Sequence, residues 1–285
     1  MNTMLANWKS IAVFLDDTPQ SEKICDYAAD LALRCGAHLI GIHGIQGFPG
    51  SFPEDSFVHG KQAINALIDR QRATEEKRAF AVARRFVAVA RKQDISTEFR
   101  VIWAGSADDA VLNALHCDLV VLGHPLPRGL PEAWTADRLL IATGVPLLAI
   151  PDGWNSGTIG TNVIVAWNGS REARRAITDA MPLLSAAQSV TVLVVNSAKI
   201  PQKYGAEPGS DISLYLARHG VQVELQQAGA GGASIAKTIL SKATEQNADL
   251  IVIGAYSHKR TSEIFFGGVT REILTSISMP VLLSR

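Results

Sequence analysis

Strands alternating with helices, twice over, predict an α/β protein of two tandem doubly wound domains. Each domain is expected to hold a five-stranded parallel sheet with helices on both faces. Three observations carry this. Short runs rich in Val, Ile and Leu alternate with longer segments of helical character, and strand–helix–strand succession implies parallel pairing through right-handed crossovers. The runs are almost continuously apolar, as strands covered on both faces are. Matched landmarks also recur in the same order in both halves, which marks a duplication.

Taken in order, the first half has strands expected near 10–16, 38–45, 97–103, 118–123 and 145–150. The second has them near 162–167, 189–196, 221–227, 249–254 and 279–284. Ile11 to Leu15 ends at Asp16-Asp17-Thr18, and Val163 to Trp167 ends at Asn168-Gly169-Ser170. Helices follow at Ser21–Arg34 and Arg171–Leu184, with Thr18 and Ser170 as N-caps. Asp118-Leu-Val-Val-Leu-Gly123 matches Asp249-Leu-Ile-Val-Ile-Gly254. Gly144-Val-Pro-Leu-Leu-Ala-Ile150 matches Ser278-Met-Pro-Val-Leu-Leu-Ser284. The first half alone carries a Gly/Pro-rich loop, Gln46 to Gly60, followed by a long helical stretch from Lys61 to about Lys92. Pro151 to Gly160 is rich in Gly, Pro and Ser and reads as a linker. The domains are therefore 1–151 and 161–285. In such sheets ligands sit beyond the C-terminal strand ends, where the winding reverses. A strand order of 3-2-1-4-5 brings Asn168 beside Gly254 at that crevice.

Composition excludes several classes. With 27 basic and 27 acidic side chains the net charge is zero, and no block of like charge offers a nucleic-acid surface. The first residues lack the cationic and apolar regions of a signal peptide, and no apolar run is long enough to span a membrane. The expected location is cytoplasmic. The three cysteines, Cys25, Cys35 and Cys117, show no CxxC spacing. Cys25 and Cys35 share a predicted helix with about 15 Å of rise between them, too far to bridge. All three are expected as free thiols in a reducing compartment.

The chemistry-bearing stretch is Asp249 to Arg271. A short buried strand, Leu250 to Ile253, stops at Gly254, and a polar loop with Ser257, His258, Lys259 and Arg260 follows. Gly267-Gly268 then precedes a helix from Val269 to Ile277. A helix start presents unpaired N–H groups and partial positive charge, which suit phosphate, and glycine lets backbone approach a ligand. The alternative is that these glycines only turn the chain. No GxxxxGK[ST] occurs, so a P-loop is excluded. The run Gly229-Ala230-Gly231-Gly232 follows a third strand and reads as a strand-to-helix turn. The histidines show no metal spacing, and no GxSxG elbow is present. The scattered tryptophans, Trp167 aside, are assigned to packing.

On these residues the chain resembles the universal stress protein family in its tandem two-domain form, over nearly its whole length. Nucleotide-binding members carry Gly, two residues, Gly, nine residues, Gly, then Ser or Thr. Here Gly254, Ser257, Gly267 and Gly268 stand at those positions with the spacing kept. Ser257 replaces the second Gly, and Gly268 replaces the Ser/Thr, with Thr270 able to supply a hydroxyl nearby. The family's acidic residue after strand 1 maps to Asn168, and in the first half to Asp16. The resemblance implies an adenine-nucleotide site, for ATP with or without Mg2+, formed by Ala166, Trp167, Asn168, Val195, Ile253, Gly254, Ser257, His258, Gly267, Gly268, Val269 and Thr270. It implies a stress-response regulator and not an enzyme, with slow ATP hydrolysis left open; Glu263 is the only acid between the glycines. A nucleotide-free interaction module with a degenerate pocket is the alternative. The resemblance also implies two superimposable units forming an internal pseudo-dimer, able to dimerise further, whose final strands pair at their edges; one continuous sheet is not expected. The first half should bind no nucleotide. Its loop reads His124-Pro-Leu-Pro-Arg-Gly-Leu-Pro131, and proline has no N–H to offer a phosphate.

Overall fold

The computed structural model describes residues 8–46, 61–104, 107–125, 134–196, 207–256 and 268–285. Ten strands run through them. The first half holds β1 (Ser10–Leu15), β2 (His38–Gln46), β3 (Thr97–Ala104), β4 (Leu119–His124) and β5 (Leu147–Pro151). The second holds β6 (Asn162–Ala166), β7 (Ser189–Val195), β8 (Val223–Ala228), β9 (Leu250–Gly254) and β10 (Val281–Ser284). Among the described residues the helices are α1 (Pro19–Cys35), α2 (Lys61–Gln93), α3 (Ala107–Ala114), α4 (Ala136–Thr143), α5 (Arg171–Leu184), α6 (Ser210–Arg218), α7 (Ile235–Glu245) and α8 (Gly268–Ser276).

The strands lie in the order β3-β2-β1-β4-β5-β10-β9-β6-β7-β8. Each half shows the expected 3-2-1-4-5 order with parallel pairing throughout. The final strands do pair, antiparallel, but the consequence differs from expectation. That pairing fuses the two sheets into one continuous sheet of ten strands. Its centre sets Leu148 opposite Leu282. Each stands two residues after its half's proline, Pro146 or Pro280, so equivalent positions face each other, as a local twofold relation requires.

Side chains alternate across the sheet with period two. Ile11, Val13 and Leu15 of β1, with Val163 and Val165 of β6, face the side covered by α1, α2, α5 and α6. Ala12 and Phe14, with Ile164 and Ala166, face the side covered by α3, α4, α7 and α8. Both predicted caps are present. Thr18 Oγ1 accepts from the Ser21 N–H at 3.3 Å, and Ser170 Oγ accepts from the Ala173 N–H at 3.1 Å. Pro19 opens α1, and Gly36, left-handed at φ 61°, closes it.

The repeated aspartates have a structural job. Asp118, just before β4, accepts the Lys9 and Ser10 N–H groups at 2.7 and 3.0 Å. Asp249, just before β9, is buried and accepts from Gly160, Thr161 and Asn162 at 2.9–3.1 Å. Each carboxylate thus ties down the backbone entering its half's first strand. The segment between the halves is strapped down as well. Gln20, Tyr27 and Arg34, seven residues apart on α1, donate to the carbonyls of Pro151, Ser156 and Ile159. Ile159 is buried, and Trp154 packs against both cores.

The three cysteines are free and buried. Burial pushes the Cys25 thiol up to about 12 and the Cys35 thiol up to about 11, with neighbouring charges secondary. The unfolded chain releases these protons near 9, while the folded chain holds them. Stability is therefore expected to fall as pH rises from about 9 towards 12, and less steeply in Cys25→Ala; urea titrations across that range measure it. Asp249→Asn removes the charge from three charge-assisted hydrogen bonds. It is expected to cost about 2 kcal/mol or more in chemical denaturation, and Asp118→Asn, with two such bonds nearer solvent, less.

Candidate functional site

The crevice lies at the C-terminal ends of β6, β7 and β9, on the side covered by α7 and α8. Ala166 pairs with Leu193 on one side and Ile253 on the other, and Val195 lies two residues beyond Leu193 on β7. Ala166, Val195 and Ile253 belong to one apolar cluster, and Val269 of α8 packs against it. Four of the predicted site residues are thus brought together as a small apolar floor. Gly268 opens α8 and is exposed, and a Cβ built on it would meet nothing within 4 Å. Thr270, in the first turn of α8, is buried.

Other predicted residues are placed differently. The Trp167 ring packs against the opposite face, with the α5 side. Only its backbone stays in line, donating to Leu193 O at 2.9 Å. Asn168 Oδ1 accepts from the Ser170 N–H at 3.1 Å, forming the turn that leads into α5. Asp16 does the same in the first half, accepting from Thr18 N–H at 2.7 Å. Gly254 has a reason other than ligand approach or chain reversal. A Cβ there would lie 2.2 Å from Ala173 N and 2.4 Å from Glu172 C. The glycine lets the first turn of α5 sit directly on the end of β9. Ser257, His258 and Gly267, with Lys259, Arg260 and Glu263, lie outside the described residues.

The first half offers a like-for-like comparison. Ser10 and Asn162 hold equivalent places at their aspartate clamps, so Phe14, four residues on, corresponds to Ala166. Pairing of Ser10 with His38 and of Asn162 with Ser189 makes Gly44 the counterpart of Val195. Leu122 and Ile253 each stand four residues after their aspartate. Counted back twelve residues from Pro146 and from Pro280, Trp134 corresponds to Gly268. The same offset matches buried Ala136, Leu139 and Leu140 of α4 with buried Thr270, Ile273 and Leu274 of α8.

Trp134 is 1% exposed, and its ring meets Phe14 edge-on at 4.8 Å between centroids. It lies so close over Gly44 that a Cβ there would be 2.2 Å from Cη2. The crevice of the first half is therefore filled by an indole, while at the same position of the second half Gly268 faces open space. Sequence reasoning assigned Trp134 to packing, which is correct, without locating it. The signal that could have found it was available: Gly44 sits mid-strand in β2 where β7 has a valine, and a glycine in a strand marks close approach of another group.

The neighbouring electrostatics are mild. Burial raises the Glu172 carboxyl, but bonds from Arg171, its own N–H and Ser170 outweigh this and leave it below the usual range. That acid sits on the first turn of α5, bound by Arg171 Nε at 2.8 Å. The Tyr256 phenol is pushed up by burial, with Asp137 of α4 adding to the effect and Arg285 opposing it. His124 Nε2 meets Leu274 O of α8 at 2.7 Å, so the end of β4 touches the last turn of the second half's helix. Among the described residues no group of three or more His, Cys, Asp or Glu could hold a metal ion. Among them, too, no helix is long and apolar enough to cross a membrane.

A family model described as "Universal stress protein family" matches residues 7–145 and again 161–285. Similar solved structures span almost the whole chain. A universal stress protein from Archaeoglobus fulgidus DSM 4304 is 15% identical, with 97% of this chain and 96% of that one covered and a TM-score of 0.68. A functionally unknown protein from Pseudomonas aeruginosa PAO1 is 16% identical, with 100% and 94% covered and a TM-score of 0.58. A putative universal stress protein from Pseudomonas aeruginosa UCBPP-PA14 is 16% identical, with 97% and 93% covered and a TM-score of 0.56. A comparison with curated proteins finds no significant match.

The contact at Gly254 makes a prediction. Gly254→Ala drives a methyl group into α5 backbone, which cannot rotate away as a side chain would. A loss of about 1–3 kcal/mol is expected in urea unfolding. Gly268→Ala, with open space around it, should be far better tolerated.

Proposed function

This chain belongs to the universal stress protein family, with the family's domain matched in each half, and from that premise we propose that it is a regulatory stress-response protein binding one adenine nucleotide. The domains are taken as 1–151 and 161–285, the nucleotide as ATP, the site as the second half, and the compartment as the cytoplasm. The observation that carries the reading is the contrast between Gly268 and Trp134. Over the floor of Ala166, Val195 and Ile253, the start of α8 leaves room for a flat base, and its first N–H groups suit a phosphate. The first half fills the same room with an indole. Its loop, with prolines at 125, 127 and 131, also lacks N–H donors a phosphate would need.

In this reading Ala166, Val195, Ile253 and Val269 contact the base, and Asn168 and the backbone of Trp167 approach the ribose. Gly254, Ser257, His258, Gly267, Gly268 and Thr270 line the phosphate side, and any Mg2+ is carried by the phosphates. The role is binding, not turnover. The buried acid beside these strand ends, Glu172, is already held by Arg171 and stands on a helix of the opposite face.

A second reading has an observation in its favour. Asn168 Oδ1 serves the turn to Ser170, and Gly254 is taken up by α5. Both fit a nucleotide-free interaction module. Calorimetry with ATP separates the two. The expected result is about one nucleotide per chain, none for Gly268→Trp, and an affinity for Asn168→Leu lower by about one to two decades. Because Val195 stands where the first half has Gly44, a native far-UV circular dichroism spectrum of Gly268→Trp is required alongside its binding curve. No heat of binding with the parent chain would leave the interaction module. Equal binding by parent and Gly268→Trp would place the site elsewhere.

A further inference from the structure

We infer that the first half contains a second, self-occupied pocket shaped for a flat bicyclic aromatic ring, with the side chain of Trp134 as its resident ligand. Four observations support it. The indole sits at the C-terminal strand ends where the winding of the first half reverses, the place where such sheets hold ligands. Its walls are the counterparts of the open floor in the second half, with Phe14 for Ala166, Gly44 for Val195 and Leu122 for Ile253. The walls are cut to the ring: Gly44 gives up a side chain where Cη2 and Cζ2 approach, at 2.2 and 2.4 Å from where a Cβ would be. The indole Nε1 is buried and has no hydrogen-bond partner among the described residues. The contacts that hold the ring among the described residues are those of shape, the Phe14 edge and the Gly44 backbone.

Trp134 also enters from just before α4, with Thr135 as the helix cap. The ring is thus tethered to the chain at only one point, and removing it leaves a void bounded by rigid strands. Such a void is apolar and bicyclic in outline, and apolar cavities of this kind stay dry and take up matching aromatics. This inference goes beyond the nucleotide reading and does not need it, because the variant leaves the second half unchanged and any uptake of indole there is common to variant and parent.

The probe is free indole, and the variant is Trp134→Gly, which installs the residue found at the equivalent position 268. In thermal unfolding of the full chain, Trp134→Gly is expected to melt well below the parent. Millimolar indole should raise its midpoint by several degrees more than it raises the parent's. The monocyclic analogue pyrrole should give a smaller shift. If Trp134→Gly does not fold alone, indole present during refolding should restore the native far-UV circular dichroism, and Trp134→Leu provides a milder variant for the same melts. A shift by indole no larger in the folded variants than in the parent, or failure of indole to restore folding, would overturn the inference. Failure of ATP to bind the parent chain bears only on the second half.

Discussion

The antiparallel pairing of β5 with β10 is the contact on which the rest of the architecture depends. A five-stranded open sheet ends in two edges, and the inner one here consists of residues with no solvent exposure: Leu148, Ala149 and Ile150 on one side, Val281, Leu282 and Leu283 on the other. Exposed, such strands would template pairing with any neighbour. Joined, they satisfy one another's backbone groups and extend both apolar clusters across the seam, so that each cluster draws residues from both halves. The halves are repeats in sequence but share their cores. The outer edges are managed differently. β3 carries the Glu98–Arg100 ion pair, and β8 exposes Glu224 and Gln227, polar and charged groups that discourage further strand addition.

With the seam fixed, the segment between halves has to span a set distance, and it does so as a strap. Three donors from α1 hold its carbonyls, and the Asp249 carboxylate gathers the N–H groups of its far end. Backbone groups that would otherwise be buried without partners are thereby satisfied. Asp249 holds the entry to β6 while β9 runs beside it, so one side chain sets the register of two adjacent strands. The Asp118 clamp on β1 and β4 is the same device in its older or younger copy.

Much of this was legible in the sequence because it rests on local rules. Near-continuous apolar runs gave the strands within a residue or two, the helices assigned bounds in advance agree equally well, and α5 spans the predicted Arg171–Leu184. Caps at Thr18 and Ser170 follow from hydroxyl chemistry. The order 3-2-1-4-5 was chosen because it sets Asn168 beside Gly254, not because connectivity demands it, and each half has that order. What escaped was long-range. The repeated aspartates were visible as landmarks, but their acceptor role depends on backbone from the start of each half, up to 109 residues away. Gly254 was read as room for a ligand, whereas its missing Cβ accommodates α5. Trp167 follows a strand whose alternation turns its ring to the face away from the crevice, which a strict count from Ala166 would have shown. That two edges in contact make one sheet is a matter of geometry that a repeat-by-repeat reading hides.

Duplication hands a protein two crevices, and the physics of each is set by a few residues at equivalent places. In the second half those residues are small or modest: Ala166, Val195 and Gly268. In the first they are Phe14, Gly44 and Trp134, a trio that makes sense only together. The ring needs Gly44 to lie flat on β2, and Phe14 meets it edge to face in a geometry that favours an aromatic pair. Filling a crevice that nothing else would occupy removes apolar surface from water and gains close contacts. The first half in turn touches the second. His124 at the end of β4 contacts the last turn of α8, whose first turn borders the open crevice. Trp134 and Gly268 thus stand at one aligned position with opposite consequences: the indole is buried in its crevice, and a Cβ on Gly268 would meet nothing within 4 Å.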